Sequence, residues 1–268
     1  MSLDTIVYLL HQYWVDTTDE HIKDYEFFGA GPALLILIML SWLIFVTKLG
    51  PFVMNNRNPL VMREIIIGYN FVLVVINIYF IYASLKRLEF GRKSWNPRLP
   101  PSNQWSQKDI ALLPLKCFYF YTKLFDLLDT IYFVLRKKSN QISFLHVYYH
   151  FMVPVMGWLA VKQCSQSVIV EVFCLLNSIV HTVMYLYYLL SAFGPQIQPY
   201  LWWKRYITRL QILQFIILLV YASWCITCGD MSRYPHGVKW LVTIQPIVFI
   251  YMFTNFYKNS YESKIKTN

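Results

Sequence analysis

The chain has 268 residues, 57% of them hydrophobic and only 14% charged, with a formal net charge of +10. An ordinary soluble domain carries about 25% charged residues. The composition therefore excludes a disordered chain, a collagen-like fibre and most soluble folds, and a basic chain this apolar needs no nucleic acid to explain its charge.

Residues 1–26 contain six acids and only Lys23 as a basic residue, and the opening MSLDTIVYLL lacks the basic start of a secretory signal. This segment is expected to be solvated on the lumenal side. Six stretches then carry no Asp, Glu, Lys or Arg at all: residues 27–47, 65–85, 139–161, 172–203, 210–229 and 240–257. Each is close to the ~20 residues of helix that cross ~30 Å of hydrocarbon, or longer. They are continuously apolar rather than alternating, which predicts helices and not a barrel. Residues 110–135 are apolar and aromatic but hold Lys116, Lys123, Asp126 and Asp129. They predict a seventh span, and the ionisable groups in it are expected to face the bundle interior. The expected fold is all-α: one polytopic domain over 1–268, with seven transmembrane helices in a single bundle and a tail at 258–268.

Lys48, Arg57, Arg63, the run Arg136–Lys138, Lys204, Arg205, Arg209 and the tail lysines put the N-terminus outside and the C-terminus in the cytosol. The loop 86–108 dissents, with Lys86, Arg87, Arg92, Lys93, Arg98 and Lys108 on the side this topology makes lumenal. The ending Lys264-Ile265-Lys266-Thr267-Asn268 has the form of a cytosol-read retrieval signal for the endoplasmic reticulum. Cys225 and Cys228 form a lone CxxC at the end of a span, which reads as two small apolar residues rather than a metal site.

The spans carry polar stripes. Lys123, Asp126 and Asp129 are spaced three and three, so a local ion pair can offset part of the burial cost. The short linker 136–141 makes the third and fourth spans antiparallel neighbours. His146 and His150, four apart, share one helical face, with Tyr149 beside it. Asn177, His181, Tyr185 and Tyr188 form a stripe on the next span, and Thr208, Gln211 and Gln214 another on the one after. Interhelical hydrogen bonding would account for the amides but not for the histidines. A di-iron site needs more histidines than the three left once His11, His21 and His236 are set outside the spans. A single metal on His146, His150 and Asp126 or Asp129 is a second reading. Metal-free acyl transfer suits the inventory better: imidazole acts as nucleophile or base near neutral pH, and Asn and Tyr can steady an oxyanion.

These residues resemble the very-long-chain fatty acid elongases, the ELO family of condensing 3-oxoacyl-CoA synthases. The K-x-x-E-x-x-D-T motif appears as Lys123-x-x-Asp126-x-x-Asp129-Thr130, followed by a family-like stretch from Ile131 to Lys138. Asn177-Ser178-x-x-His181-x-x-Met184-Tyr185-x-Tyr187-Tyr188 and Thr208-x-x-Gln211-x-x-Gln214-Phe215 match in full, and Gly50-Pro51, Met54 and Tyr69-Asn70 fit weaker signatures. Two positions depart: Asp126 stands for Glu, and the H-x-x-H-H box reads His146-x-x-Tyr149-His150. The resemblance implies a decarboxylative condensation of long-chain acyl-CoA with malonyl-CoA, with no tightly bound cofactor and no metal. His146, Tyr149, His150, His181, Asp126, Asp129, Asn177 and Tyr185 would form the catalytic set. Lys123, Lys137, Lys138, Tyr188, Lys204, Arg205, Thr208, Arg209, Gln211 and Gln214 would hold CoA and the acyl chain, which would lie in a closed tunnel. With Tyr149 in the box, His150 or His181 could carry the acyl group, Tyr149 could be activated by a neighbour, or the chain could be a catalytically impaired acyl-CoA-binding or partner subunit. A metal-dependent lipid-modifying enzyme and a transporter are weaker readings, the latter because no internal repeat is visible. Expected partners are the bilayer, the reductases and dehydratase of the elongation cycle, and further copies of the chain.

Overall fold

The computed structural model describes residue 5 and residues 7–262, so the lysine pair at 264 and 266 lies outside the described residues. All regular elements among the described residues are helical. In chain order the principal ones are α1 (Ala33–Met54), α2 (Arg63–Arg87), α3 (Leu113–Phe125), α4 (Leu128–Leu135), α5 (Phe144–Cys164), α6 (Val168–Ala192), α7 (Lys204–Cys228) and α8 (His236–Tyr257). Among the described residues six helices, α1, α2 and α5–α8, are long and apolar enough to cross a membrane. The stretch expected to form a seventh span is helical but interrupted, running through a short helix at Gln107–Ala111 into α3 and α4.

The chain divides into two compact units. One comprises Met1–Val61 and Pro100–Gln166, with α1, α3, α4 and α5; the other comprises Met62–Leu99 and Ser167–Asn268, with α2 and α6–α8.

In the first unit, Leu35, Met39, Trp42 and Val46 of α1 recur at steps of four and three and meet Leu113, Cys117 and Phe120 of α3, with Trp158 and Val161 of α5. Hydrocarbon gives no hydrophobic incentive for helices to associate, so close packing and hydrogen bonds must hold such a core. Gly50 shows how close the packing is: a Cβ there would sit 2.7 Å from Val134 Cγ1 of α4. Between α3 and α4 the backbone tightens, with Leu127 N–H donating to Leu124 C=O at 3.2 Å and Asp129 N–H to Asp126 C=O at 3.2 Å. Trp42 Nε1 donates to Leu127 C=O across this break at 3.1 Å.

The N-terminal segment, expected to be solvated, is instead partly docked. Short helices at Tyr13–Asp16, Glu20–Lys23 and Glu26–Gly29 bury Ile22 and Phe28 in the same core. Trp158 Nε1 donates to Phe27 C=O at 3.0 Å, and Lys162 Nζ donates to the carbonyls of Phe28 and Ala30 at 2.5 and 2.8 Å. The acid count predicted solvent; the apolar residues spaced between the acids prevail.

In the second unit, α2 and α6 run antiparallel in one register. Arg63 donates to the C=O groups of Ala192 and Phe193 at 3.0 and 2.7 Å, satisfying carbonyls that the end of α6 leaves open. Further along the same pair, Ser84 donates to Glu171 at 2.6 Å and Arg87 pairs with the same carboxylate. Apart from Tyr69, the buried positions of α2, Ile66, Asn70, Leu73, Asn77, Phe80 and Ser84, alternate steps of four and three, so a polar residue recurs every seven. Asn70 and Asn77 each donate Nδ2 to the carbonyl four residues back, at 2.7 and 2.8 Å. Phe215 of α7 stacks on Phe249 of α8 at 4.7 Å.

Four of the six basic residues of the dissenting loop meet carboxylates within this unit. Besides the Arg87–Glu171 pair, Arg92 and Lys93 pair with Glu89 at 2.5 and 3.1 Å, and Arg98 lies 3.7 Å from Asp230. Hydrogen bonds from Lys93 and Arg92 hold the Glu89 carboxyl below its ordinary range, and those from Ser232 do the same for Asp230.

Removing Arg87 while keeping Glu171 strands a carboxylate whose side chain is 12% exposed. Arg87→Leu should therefore cost stability near the lower end of ~3–5 kcal/mol, and Ser84→Ala about 1 kcal/mol. Thermal unfolding in detergent would show the larger loss for Arg87→Leu, and equal losses would refute the assignment of Glu171 to an ion pair.

Candidate functional site

Each unit holds a buried polar cluster that includes sequence-predicted site residues. In the first, α5 begins at Ser143, whose Oγ accepts the N–H of His146 at 3.2 Å. This N-cap fixes His146 three residues into the helix and His150 one turn later on the same face. Their rings lie 4.3 Å apart between centroids. His146 Nε2 is 2.9 Å from Thr130 Oγ1 of α4. Thr130, which follows Asp129 in the first motif, was not among the sequence-predicted site residues, because a hydroxyl within an apolar run gives no periodic signal. Tyr149 is half-buried, its ring edge-on to His150 with centroids 5.9 Å apart.

Lys123 Nζ donates to Asp126 Oδ2 at 2.9 Å, with the two side chains 3% and 4% exposed. The ammonium also lies 5.1 Å from the centroid of the Tyr119 ring. The expected ion pair is thus formed, and the break between α3 and α4 falls directly after it. Asp129 and Thr130 are buried on the first turns of α4.

The second cluster lies on α6 and α7. Asn177, Ser178, His181 and Tyr185 are all buried. The His181 and Tyr185 rings stand 5.5 Å apart, and Tyr185 meets Tyr188 at 6.3 Å and Tyr69 of α2 at 6.3 Å. Thr208 and Gln214 of α7 are buried and Gln211 half-buried, so the stripe at steps of three is an inward face. Asn77 and Ser84 escaped the sequence reading, although a polar residue every seven positions on an apolar helix was the signal that could have found them.

The basic candidates are exposed. Lys137 has φ of 53° and donates to Asn55 C=O at 3.0 Å; Lys138, Lys204 and Arg205 are exposed beside it in sequence or at the start of α7. Arg209 is held by aromatic side chains: its Nε donates to the Tyr257 hydroxyl at 2.8 Å, and its guanidinium lies 5.3 and 5.1 Å from the ring centroids of Tyr206 and Tyr257. Among the described residues no group of three or more His, Cys, Asp or Glu is arranged to hold a metal ion. Cys225 is buried and Cys228 exposed, both as free thiols.

Six membrane-length helices and two clusters of imidazoles, acids, amides and phenols buried among them define a multi-pass helical membrane protein. Residues 27–268 match the family model described as ELO, the GNS1/SUR4 family. The chain is 34% identical over 253 residues to the protein named very long chain fatty acid elongase 1 of Homo sapiens, covering 94% of this chain and 89% of that one. It is 36% identical over 247 residues to very long chain fatty acid elongase 4 of Mus musculus, covering 91% and 76%. It is 34% identical over 245 residues to very long chain fatty acid elongase 7 of Drosophila melanogaster, covering 91% and 73%. The chain belongs to the ELO family.

Replacing Lys123 by Met should leave the Asp126 carboxylate buried without its cation, costing ~3–5 kcal/mol, whereas Lys123→Met with Asp126→Leu should recover most of that loss. A double-mutant cycle read by thermal unfolding checks this. A double variant no more stable than Lys123→Met would show that the pair contributes little.

Proposed function

We propose that this protein is a condensing 3-oxoacyl-CoA synthase of fatty acid elongation, joining a long-chain acyl-CoA to malonyl-CoA. The single observation that carries the reading is membership of the ELO family over residues 27–268, a match that spans both buried clusters. In the overall reaction the C–S bond of the acyl thioester breaks and a C–C bond forms between the acyl carbonyl carbon and C2 of malonyl-CoA. The bond from C2 to the malonyl carboxylate breaks, CO2 leaves, and the departing CoA sulfur ends as a protonated thiol. The product is a 3-oxoacyl-CoA two carbons longer.

The chemistry needs a group that takes up the acyl chain or moves protons, and donors that steady the oxygen on which charge develops. His150 and His181 are the candidates for the first task, with His146 held in place by Thr130. Asn177 and Tyr185 are the candidates for the second. Asp126 and Asp129 stabilise imidazolium charge, and Lys123 offsets the cost of burying Asp126. Lys137, Lys138, Lys204, Arg205 and Arg209 attract the phosphates of CoA. Tyr188, Thr208, Gln211 and Gln214 contact the substrate. The proposed reaction runs without a tightly bound cofactor or metal.

The same proposal counts the interrupted segment 110–135 as a seventh span. It treats 1–268 as one domain enclosing an acyl tunnel, in the endoplasmic reticulum membrane with the C-terminus in the cytosol. The 3-oxo product calls for a reductase and a dehydratase to follow, and further copies of this chain are candidate partners.

Tyr149 supports a second reading, a catalytically impaired homologue that binds acyl-CoA. A phenol of pKa ~10 is a poor nucleophile at neutral pH without a base. Labelled malonyl-CoA supplied to membranes carrying the chain, with a panel of acyl-CoA lengths, separates the two. The active reading expects label in products two carbons longer, unaffected by strong chelators and reduced at least ~100-fold by either His150→Ala or His181→Ala. Incorporation only after Tyr149→His would establish the impaired reading. Full activity in His181→Ala would remove that residue from the mechanism.

A further inference from the structure

Among the side-chain atoms of the second unit that are buried without a hydrogen-bond partner among the described residues are Asn70 Oδ1 of α2, Ser178 Oγ of α6 and Gln214 Nε2 of α7. Their residues are 3%, 0% and 4% exposed. Buried polar atoms are almost always satisfied, and an orphan marks an absent water, ion or ligand.

The helix register places all three at neighbouring depths. The contacts of Arg63 with Ala192 and of Ser84 with Glu171 are separated by equal steps along α2 and α6, so Asn70 stands level with Tyr185, and Asn77 with Ser178. The 6.3 Å approach of Tyr69 to Tyr185 agrees with this register. Helix α7 leaves from Trp203 and Ile207, which pack on Tyr187, and descends in the opposite sense to α6. Gln214 lies ~10 Å along α7 from Ile207, and Ser178 lies ~14 Å along α6 from Tyr187. The three orphans therefore lie within about two turns of one another in depth, alongside the stretch of α6 that bears Asn177, His181 and Tyr185.

Their chemistry is specific. Asn70 has committed one Nδ2–H to the Ile66 carbonyl at 2.7 Å, and its unpartnered atom is the acceptor Oδ1, which calls for a donor. Gln214 offers a donor, and Ser178 a hydroxyl that can do either. A fatty acyl tail answers neither need. A thioester or a malonyl carboxylate would serve Gln214 but brings no donor to Asn70. A secondary amide brings one N–H and one C=O. The pantetheine arm of CoA has two such amides and a hydroxyl, on a chain about as long as four extended residues, ~14 Å. Lys204 and Arg205 at the exposed start of α7 stand about that distance along the helix from Gln214.

We infer that Asn70 and Gln214 bind the amide groups of the pantetheine arm of a CoA thioester, with Ser178 supporting them, which makes α2 a substrate-binding helix. The inference rests on the elongase reading and assigns Asn70 a role that the polar stripes of the sequence did not give it.

The test uses the full chain in detergent and a non-transferable S-alkyl-CoA thioether, alongside versions in which each pantetheine amide in turn is replaced by an ester. Affinity is measured by titration calorimetry. The wild-type protein should bind at least one ester about tenfold more weakly than the amide parent. Asn70→Leu should weaken binding of the parent about tenfold and abolish the discrimination against that ester. Gln214→Glu, which exchanges the donor for an anion, should weaken binding of every ligand. Equal wild-type affinity for parent and both esters would overturn the inference and show that water serves the orphans. So would a folded wild-type protein that binds no thioether, or an Asn70→Leu variant that still discriminates. The wild-type ester comparison decides even if Asn70→Leu does not fold. Amide discrimination without labelled-malonyl condensation would leave the binding site standing and remove the elongase reading. Condensation without amide discrimination would do the reverse.

Discussion

Hydrocarbon offers no hydrogen bonds, so every polar or charged group placed in a spanning helix has to be answered from within the protein. That constraint organises both units. Lys123 is answered by Asp126, Glu171 by Ser84 and Arg87, Lys162 by two backbone carbonyls, and Trp42 by the carbonyl at the break between α3 and α4. Apart from the Lys123–Asp126 pair, which lies within one turn, these partners come from segments distant in sequence, so each such contact also fixes a register. The polar groups thus specify which helices pair and how far along they meet, while the apolar residues around them supply packing.

Both clusters follow from this logic. Near the break after Asp126, α3 and α4 present Lys123, Asp126, Asp129 and Thr130 from two short helices, and α5 presents His146 and His150 from its first two turns. Such a site is held by an ion pair, an N-cap and a threonine rather than by any one strong bond. On α6 the stripe Asn177–His181–Tyr185 lies along a helix pinned to α2 at both ends, by Arg63 at one and Glu171 at the other. Rigid support of this kind holds side chains in place without conformational rearrangement.

Much of this was legible in the residues. Charge-free runs located all six membrane-length helices, since a charge inside a span is rare enough that its absence is itself a signal. Steps of three and four located the two histidines of α5, the stripe on α6 and the Lys123–Asp126 pair. What was not legible has one common cause: a partner distant in sequence. Trp158 and Lys162 reach carbonyls more than a hundred residues earlier, Glu171 meets Arg87, and Thr130 meets His146. Periodicity reports which face of a helix is apolar, but not which helix lies opposite. The N-terminal segment was misjudged for a related reason. Its acids dominate the local composition, whereas Ile22 and Phe28, which decide its docking, matter only once a core exists to receive them.

The tie between the chain ahead of α1 and the far end of α5 has a temporal side. The carbonyls of Phe27, Phe28 and Ala30 leave the ribosome long before Trp158 and Lys162, which follow 131, 134 and 132 residues later. At ~5–20 residues per second of synthesis that is a wait of roughly ten seconds. During that interval water must hydrate those carbonyls, and Phe27 and Phe28 have no α5 to meet, only Phe120 of α3 once that helix has been made. The seal over this end of the first unit is therefore a late event of biogenesis, closed when α5, the second of its membrane-length helices, arrives.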